Sequence, residues 1–124
     1  MNKKIIIVVE DDSDMQTLLK TTLTESGFSV LVAKDGVEAL SKIQSEKPDL
    51  VLLDILLPGM NGMSVLKEMR EVGIATPVII LTNLSADEKI MQGILHDNPS
   101  YYLVKSDTPM DDIVTKIKGT LGAS

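Results

Sequence analysis

Short apolar runs alternate with amphipathic stretches along the whole chain. The runs are rich in Ile, Val and Leu, which predicts strands, and residues typical of turns bound them. The longest run, Leu50–Leu57, is interrupted only by Asp54 and stops at Pro58-Gly59. It predicts a strand buried on both faces, with a carboxylate at its carboxyl end. The predicted strands are Ile5–Val9, Phe28–Ala33, Leu50–Leu53, Pro77–Thr82 and Tyr101–Val104.

Between the strands, apolar residues recur every three or four positions, which is typical of helices with one buried face. Each amphipathic stretch follows a residue whose side chain is suited to capping a helix. Gly27, Pro48 and the Asn98-Pro99 pair are predicted to end the first, second and fourth helices. The predicted starts are Ser13 with Gln16, Asp35 with Glu38, Asn61, Ser85 with Glu88, and Thr108 with Pro109.

Five strands that alternate with five helices predict one α/β domain over residues 1–124. Parallel strands need crossover connections, and right-handed crossovers place helices on both faces of the sheet. We therefore expect a flavodoxin-like three-layer sandwich whose five-stranded parallel sheet has the order 2-1-3-4-5. With 124 residues, of which 44% are apolar, the chain is long enough to bury a core of its own.

The net charge and the lack of cysteine restrict the functions and partners that the chain can be expected to have. The formal charge is −6, the pI is near 4.6 and no basic stripe offsets the acids, so nucleic acid is not expected as a direct partner. The chain has no cysteine, which excludes disulfides and cysteine metal ligands. The apolar run after Lys3-Lys4 is too short for a signal peptide or a membrane span. A cytoplasmic location without membrane contact is therefore expected.

Polar residues stand at the carboxyl ends of four predicted strands. Glu10 and Asp11 follow the first strand and Asp54 follows the third. Thr82 ends the fourth strand and Lys105 follows the fifth. In a parallel sheet these ends meet at one edge, and carboxylates gathered there cannot all stay ionised without a cation, for which oxygen ligands favour Mg²⁺. A pocket that also holds an ammonium and a hydroxyl is equipped for transfer of a phosphoryl group onto Asp54.

The same residues, in their local contexts, resemble the receiver domains of two-component response regulators. The matching segments are Val-Val-Glu-Asp-Asp at 8–12, Leu-Leu-Asp-Ile-Leu-Leu-Pro-Gly-Met-Asn-Gly at 52–62, Ile-Ile-Leu-Thr-Asn at 79–83 and Tyr-Leu-Val-Lys at 102–105. The resemblance implies that Asp54 accepts a phosphoryl group from a phosphohistidine on a sensor histidine kinase or a phosphotransfer protein. It also implies that Asp11, Asp54 and the backbone carbonyl of Leu56 bind Mg²⁺, with Glu10 acting through a metal-bound water.

The resemblance further implies a switch rather than an enzyme. Thr82 would hydrogen-bond one phosphoryl oxygen, Lys105 would pair with another, and Tyr102 would swing inward as Thr82 moves. This coupling would alter the surface formed by the fourth helix, the fifth strand and the fifth helix, through which a homodimer could also form. The domain would speed the hydrolysis of its own acyl phosphate and so reset itself.

Three features depart from the family pattern. Ser106 replaces the proline that usually follows the lysine across a cis peptide bond. Because a cis bond before any other residue costs about 3 kcal/mol, a trans bond and a differently shaped loop are expected here. The segment His96–Ser100 replaces the usual Gly-Ala pair before the fifth strand, which bears on the length of the fourth helix. Asn83 is larger than the residue usual after the threonine and is predicted to slow phosphorylation by small donors.

Several of these residues also have a plainer interpretation. Asp12 is expected to cap the following helix rather than to bind metal, because acids favour the amino end of a helix. Taken singly, Thr82 could be an ordinary strand residue and Lys105 a solvated surface lysine. Tyr102 could simply pack in the core. His96 has no partner evident in the sequence, so exposure or a contact with the carboxyl end of its helix is expected.

Two other function classes with related chemistry stay open. A phosphohydrolase of the haloacid dehalogenase type also uses an aspartate at a strand end, but it needs a second acid two residues later, where this chain has Leu56. A flavodoxin-like cofactor-binding protein needs a phosphate-binding loop after the first strand and aromatic rings that stack on a flavin. Here that loop is acidic, and aromatic residues make up 2% of the chain.

Overall fold

The fold was analysed in a computed structural model, which describes residues 3–84, 92–93 and 96–122. All five strands pair in parallel, in the order β2-β1-β3-β4-β5. The predicted sheet and its strand order are therefore confirmed. The strands are β1 (Ile5–Val9), β2 (Ser29–Ala33), β3 (Leu50–Leu53), β4 (Val78–Thr82) and β5 (Tyr101–Val104).

Four helices have both ends within the described part of the chain. They are α1 (Ser13–Glu25), α2 (Gly36–Glu46), α3 (Gly62–Glu71) and the C-terminal helix (Met110–Leu121). Residues 92, 93, 96 and 97 are also helical. The predicted helix start at Ser85 with Glu88 lies outside the described residues. Among the helices that are described, none is both long and apolar enough to cross a bilayer.

The core lies on both faces of the sheet, because neighbouring residues of a strand point to opposite sides. In β3, Val51 and Leu53 belong to one buried cluster, while Leu50 and Leu52 belong to a second cluster on the other face. All four are at most 1% exposed, and burying each such side chain contributes about 1.5–3 kcal/mol. The central strand is thus held on both sides, which fixes the position of Asp54 immediately after it.

The start of α1 differs from the prediction by one residue. Asp12, not Ser13, is the N-cap: its Oδ1 accepts a hydrogen bond from the backbone N–H of Met15 at 3.0 Å. The capping box of Ser13 with Gln16 is therefore wrong, whereas the expectation that Asp12 caps the helix is confirmed. Gln16 instead donates its side-chain N–H to the backbone carbonyl of Glu10 at 3.0 Å.

The other helix starts can be compared in the same way. Asp35 accepts a hydrogen bond from Glu38 N at 2.8 Å, so the predicted cap is confirmed. Asn61 accepts one from Ser64 N at 3.0 Å, which confirms the predicted helix start near Asn61. Thr108 is not a cap, because its hydroxyl donates back to the carbonyl of Val104 at 2.8 Å and the N-cap is the next residue, Pro109. Two predicted strands also begin one residue later than expected, at Ser29 and Val78.

Candidate functional site

Strand register brings Glu10 and Asp54 to the same level of the sheet. Val9 pairs with Leu53, and Asp54 donates its backbone N–H to the carbonyl of Val9 at 3.1 Å. Glu10 and Asp54, the next residues of the two strands, are therefore direct neighbours at the carboxyl edge. On the other side of β3, Thr82 pairs with Val104, so Lys105 begins where β5 ends.

Most of the buried polar side chains of the described structure lie at this edge. Glu10, Asp54 and Thr82 are 2%, 5% and 0% exposed, and Asp97 is the one other buried polar residue in the described ranges. A buried carboxylate without a partner is strongly disfavoured, so the acids at this edge require donors or a cation.

Lys105 provides a charged donor to two of these acids. Its ammonium lies 2.8 Å from Asp54 Oδ2 and also contacts Glu10 Oε1, and its side chain is only 15% exposed. The other oxygen of each carboxylate accepts a backbone N–H: Asp12 N at 3.1 Å from Glu10 Oε2 and Leu56 N at 3.1 Å from Asp54 Oδ1. The interpretation of Lys105 as a solvated surface lysine is therefore wrong.

The pKa values of Glu10 and Lys105 reflect this mixture of burial and pairing. Burial raises the pKa of the Glu10 carboxyl above its ordinary value, and the bonds from Lys105 and Asp12 N offset the effect only in part. Burial alone would lower the pKa of the Lys105 ammonium, but its bonds to Asp54 and Glu10 outweigh burial and raise it. Lys105 is therefore charged at neutral pH, whereas ionising the Glu10 carboxyl in the folded protein costs more free energy than in water.

The acidic side chains fit a hard divalent cation. Glu10, Asp11 and Asp54 each offer a carboxylate oxygen, and these oxygens lie within 4.8 Å of one another. Oxygen-only ligands at this spacing suit Mg²⁺, which usually takes one or two carboxylates and keeps several waters. Three carboxylates and one ammonium leave a formal charge of −2, which such an ion would neutralise. The role of the Leu56 carbonyl as a further ligand stays a prediction.

Thr82 and Tyr102 meet through the backbone of Leu84. The Thr82 hydroxyl oxygen accepts the N–H of Leu84 at 3.3 Å, and the Tyr102 hydroxyl donates to the carbonyl of Leu84 at 2.5 Å. Tyr102 also packs against the buried cluster that contains Val51 and Leu53. The backbone N–H and carbonyl of Leu84 thus connect the end of β4 with β5. The switching role of both side chains stays a prediction.

Comparison with known proteins decides the family. Residues 6–118 match the family described as "Response regulator receiver domain". The chain belongs to this family. PhoP of Bacillus subtilis, an alkaline phosphatase synthesis transcriptional regulatory protein, is 38% identical to the receiver domain over 125 residues, which are 100% of this chain and 50% of PhoP. Response regulator MprA of Mycobacterium avium is 40% identical over 77 residues, 62% of this chain and 34% of MprA. The receiver domain thus spans half or less of these curated relatives.

Solved receiver structures share the fold. The BeF3-activated N-terminal receiver domain of RstA from Klebsiella pneumoniae has a TM-score of 0.86 and 35% identity, and the match covers 95% of this chain and 98% of that one. A CheY-like receiver domain protein from Methanospirillum hungatei has a TM-score of 0.90 and 29% identity, with 98% and 95% covered. The predicted family and its flavodoxin-like architecture are confirmed.

Two of the departures from the receiver pattern can now be placed. No peptide bond within the described ranges is cis, so the bond before Ser106 is trans as predicted, and residues Lys105–Asp107 form a short 3₁₀ helix. His96 is exposed as expected, but its Nδ1 lies 2.9 Å from Asp97 Oδ1, a contact that was not foreseen. Asn83 is exposed, and its predicted effect on small donors stays a prediction.

Sequence reasoning missed two glycines that position the receiver site. A Cβ on Gly62 would lie 2.1 Å from the carbonyl oxygen of Asp54, and a Cβ on Gly36 would lie 2.3 Å from that of Met60. The loop between β3 and α3 is therefore approached closely by the amino ends of two helices. The signal that could have pointed to them is that each helix begins with glycine, a poor helix former that allows another part of the backbone to approach closely.

Proposed function

We propose that this receiver domain takes a phosphoryl group onto Asp54 from a phosphohistidine of a sensor histidine kinase or a phosphotransfer protein, and that Mg²⁺ is required. The observation that carries the proposal is the buried Asp54 carboxylate at the end of β3, in contact with Lys105 and close to Glu10 and Asp11. A histidine kinase partner is also what membership of the receiver family supports.

In the proposed reaction an Asp54 carboxylate oxygen attacks phosphorus and the P–N bond of phosphohistidine breaks. The imidazole leaves and takes up a proton, and an acyl phosphate remains on Asp54. Lys105, already 2.8 Å from Asp54 Oδ2, would pair with a phosphoryl oxygen as charge builds up there. Asp11 and Asp54 would hold Mg²⁺, with Glu10 acting through water, and the ion would neutralise charge that the carboxylates and phosphoryl oxygens share.

The Thr82 hydroxyl would then hydrogen-bond the phosphoryl group. If the Thr82 hydroxyl turns to a phosphoryl oxygen, its bond with Leu84 N is lost, and the Leu84 carbonyl held by Tyr102 moves with it. The surface that includes β5, the C-terminal helix and the helical residues 92, 93 and 96 would differ between the two states. That surface is the proposed site for a homodimer or another partner.

The domain would act as a phosphoacceptor and not as an enzyme that turns over a separate substrate. In the reset step water attacks phosphorus and the Asp54 carboxylate leaves, which releases phosphate. PhoP is named a transcriptional regulatory protein, and this chain spans half of it. The expectation that the domain itself does not contact nucleic acid therefore stays a prediction, as does a cytoplasmic location.

The proposal is tested by labelling with phosphoramidate, a small donor with a P–N bond, in the presence and absence of Mg²⁺. Wild type should gain one phosphoryl group in a Mg²⁺-dependent manner, and Asp54→Asn should gain none. Asp111→Asn, which removes an exposed carboxylate in the C-terminal helix, is the matched control and should label as wild type does. Labelling of Asp54→Asn at the wild-type rate would remove Asp54 from its role.

A further inference from the structure

Arg70, in the last turn of α3, links three separate parts of the chain. Its Nη1 donates to the carbonyls of Ile74 and Thr76 at 2.8 and 2.9 Å, both in the connection from α3 to β4. Its Nε donates to the carbonyl of Asp97 at 3.0 Å, at the end of the helical residues that precede β5. A guanidinium can hold several acceptors at once because its donors form a rigid planar fork.

The segment that Arg70 holds is fixed by further contacts. Asp97 is buried, with 5% of the residue exposed, and its carboxylate lies close enough to Arg70 for their charges to interact. Asn98 follows with a φ of 52°, a left-handed conformation that ends a helix. Ser100 then donates its backbone N–H to the carbonyl of Val78 at 2.8 Å, which joins the segment to β4.

We propose that Arg70 is a positioning residue that keeps the segment 97–100 fixed to the sheet in both states of the switch. This inference rests on the proposed function. The backbone N–H and carbonyl of Leu84 are bound by the side chains of Thr82 and Tyr102, which the phosphoryl group would redirect. Segment 97–100 is instead bound through the backbone carbonyls of Asp97 and Val78, and Val78 begins β4 at the edge of the sheet opposite Asp54. The rearrangement therefore includes Leu84 and leaves segment 97–100 unchanged.

The first experiment compares backbone amide signals of the full ¹⁵N-labelled chain by NMR, in Mg²⁺ alone and with beryllofluoride added as a phosphoryl mimic. The amides of Leu84 and Tyr102 should shift. The amides of Ile74, Asp97 and Ser100 should shift by less than about a fifth as much, because a fixed segment has the same surroundings in both states.

The second experiment removes the anchor. In Arg70→Met, which keeps an apolar stem, hydrogen exchange of the Ser100 amide in Mg²⁺ alone should speed up about tenfold or more. The amide signals of Asp97 and Ser100 should now also shift when beryllofluoride is added. Arg70→Lys keeps the charge but not the planar fork and should behave like Arg70→Met. Lys67→Met, which removes an exposed cation on the same helix, should leave both measurements unchanged.

The outcomes separate the two proposals. If the Asp97 and Ser100 signals shift in wild type as much as that of Leu84, the proposal that segment 97–100 stays fixed is wrong, while the phosphoacceptor role is unaffected. An unchanged exchange rate of the Ser100 amide in Arg70→Met would show that Arg70 does not hold segment 97–100 in place. Absence of any shift with beryllofluoride would count against the proposed function, and Arg70 would then hold the fold without positioning a switch.

Discussion

The glycine at the start of α3 offers a sharp test of how Asp54, the proposed phosphoacceptor, is positioned. In Gly62→Ala the new Cβ would lie 2.1 Å from the Asp54 carbonyl oxygen and 2.7 Å from Ile55 Cα, whereas real Cβ atoms essentially never approach closer than 3.0 Å. Both obstacles are backbone atoms, so either the end of β3 or the start of α3 must move. Overpacking of this kind costs about 1–3 kcal/mol.

The matched control is Gly119→Ala, within the C-terminal helix, where an added Cβ meets no atom within 4 Å. Replacing a helical glycine by alanine there should stabilise the fold by about 0.5–1 kcal/mol. For a domain of this size a change of 1 kcal/mol corresponds to roughly 3–5 °C in Tm. The midpoints of urea and thermal unfolding should therefore fall for Gly62→Ala and rise for Gly119→Ala, relative to wild type.

Function gives a second readout for the same pair. Because the atom nearest to the new Cβ belongs to Asp54 itself, phosphoramidate labelling should slow by about tenfold or more, since a shift of 1 Å can cost up to 10²-fold. Gly119→Ala should label at the wild-type rate. A Gly62→Ala variant with wild-type stability and labelling would show that the close packing around Asp54 positions nothing.

Four further substitutions test the electrostatics and the caps. Glu10→Gln should stabilise the metal-free protein at neutral pH. The folded pKa of this carboxyl is raised above its ordinary 4.5, so wild type loses stability as pH rises through the folded pKa and the variant lacks that loss; parallel pH profiles would contradict this. Lys105→Met should destabilise the metal-free protein by about 1–3 kcal/mol, because two buried carboxylates lose a donor, and added Mg²⁺ should restore most of it in unfolding curves. Asp12→Ala should cost about 1 kcal/mol and Ser13→Ala much less, and the reverse order in urea denaturation would reinstate Ser13 as the cap.

Much of the fold and of the site was predictable because both depend on simple periodicities. The run Leu50–Leu53 has no polar residue and must be central, so the carboxylate after it must lie at the carboxyl edge. The same reasoning placed Thr82 and Lys105 at neighbouring strand ends, and the register confirms that placement. The start of α1 was not decided in this way, because Asp12 and Ser13 are both good caps. The structure selects Asp12, whose side chain accepts from Met15 N while its own amide donates to Glu10 Oε2.

The contacts of Arg70 show why other features lay beyond sequence reasoning. Its acceptors are backbone carbonyls, which every residue carries, and one of them lies 27 residues away in sequence. No spacing rule indicates which carbonyls an arginine will reach, and nothing in the local sequence marks Asp97 as a buried residue. Gly62 is similar, since its closeness to Asp54 depends on how α3 meets the sheet. Strand-end chemistry could therefore be read from the chain, whereas the groups that hold it in place required the packed structure.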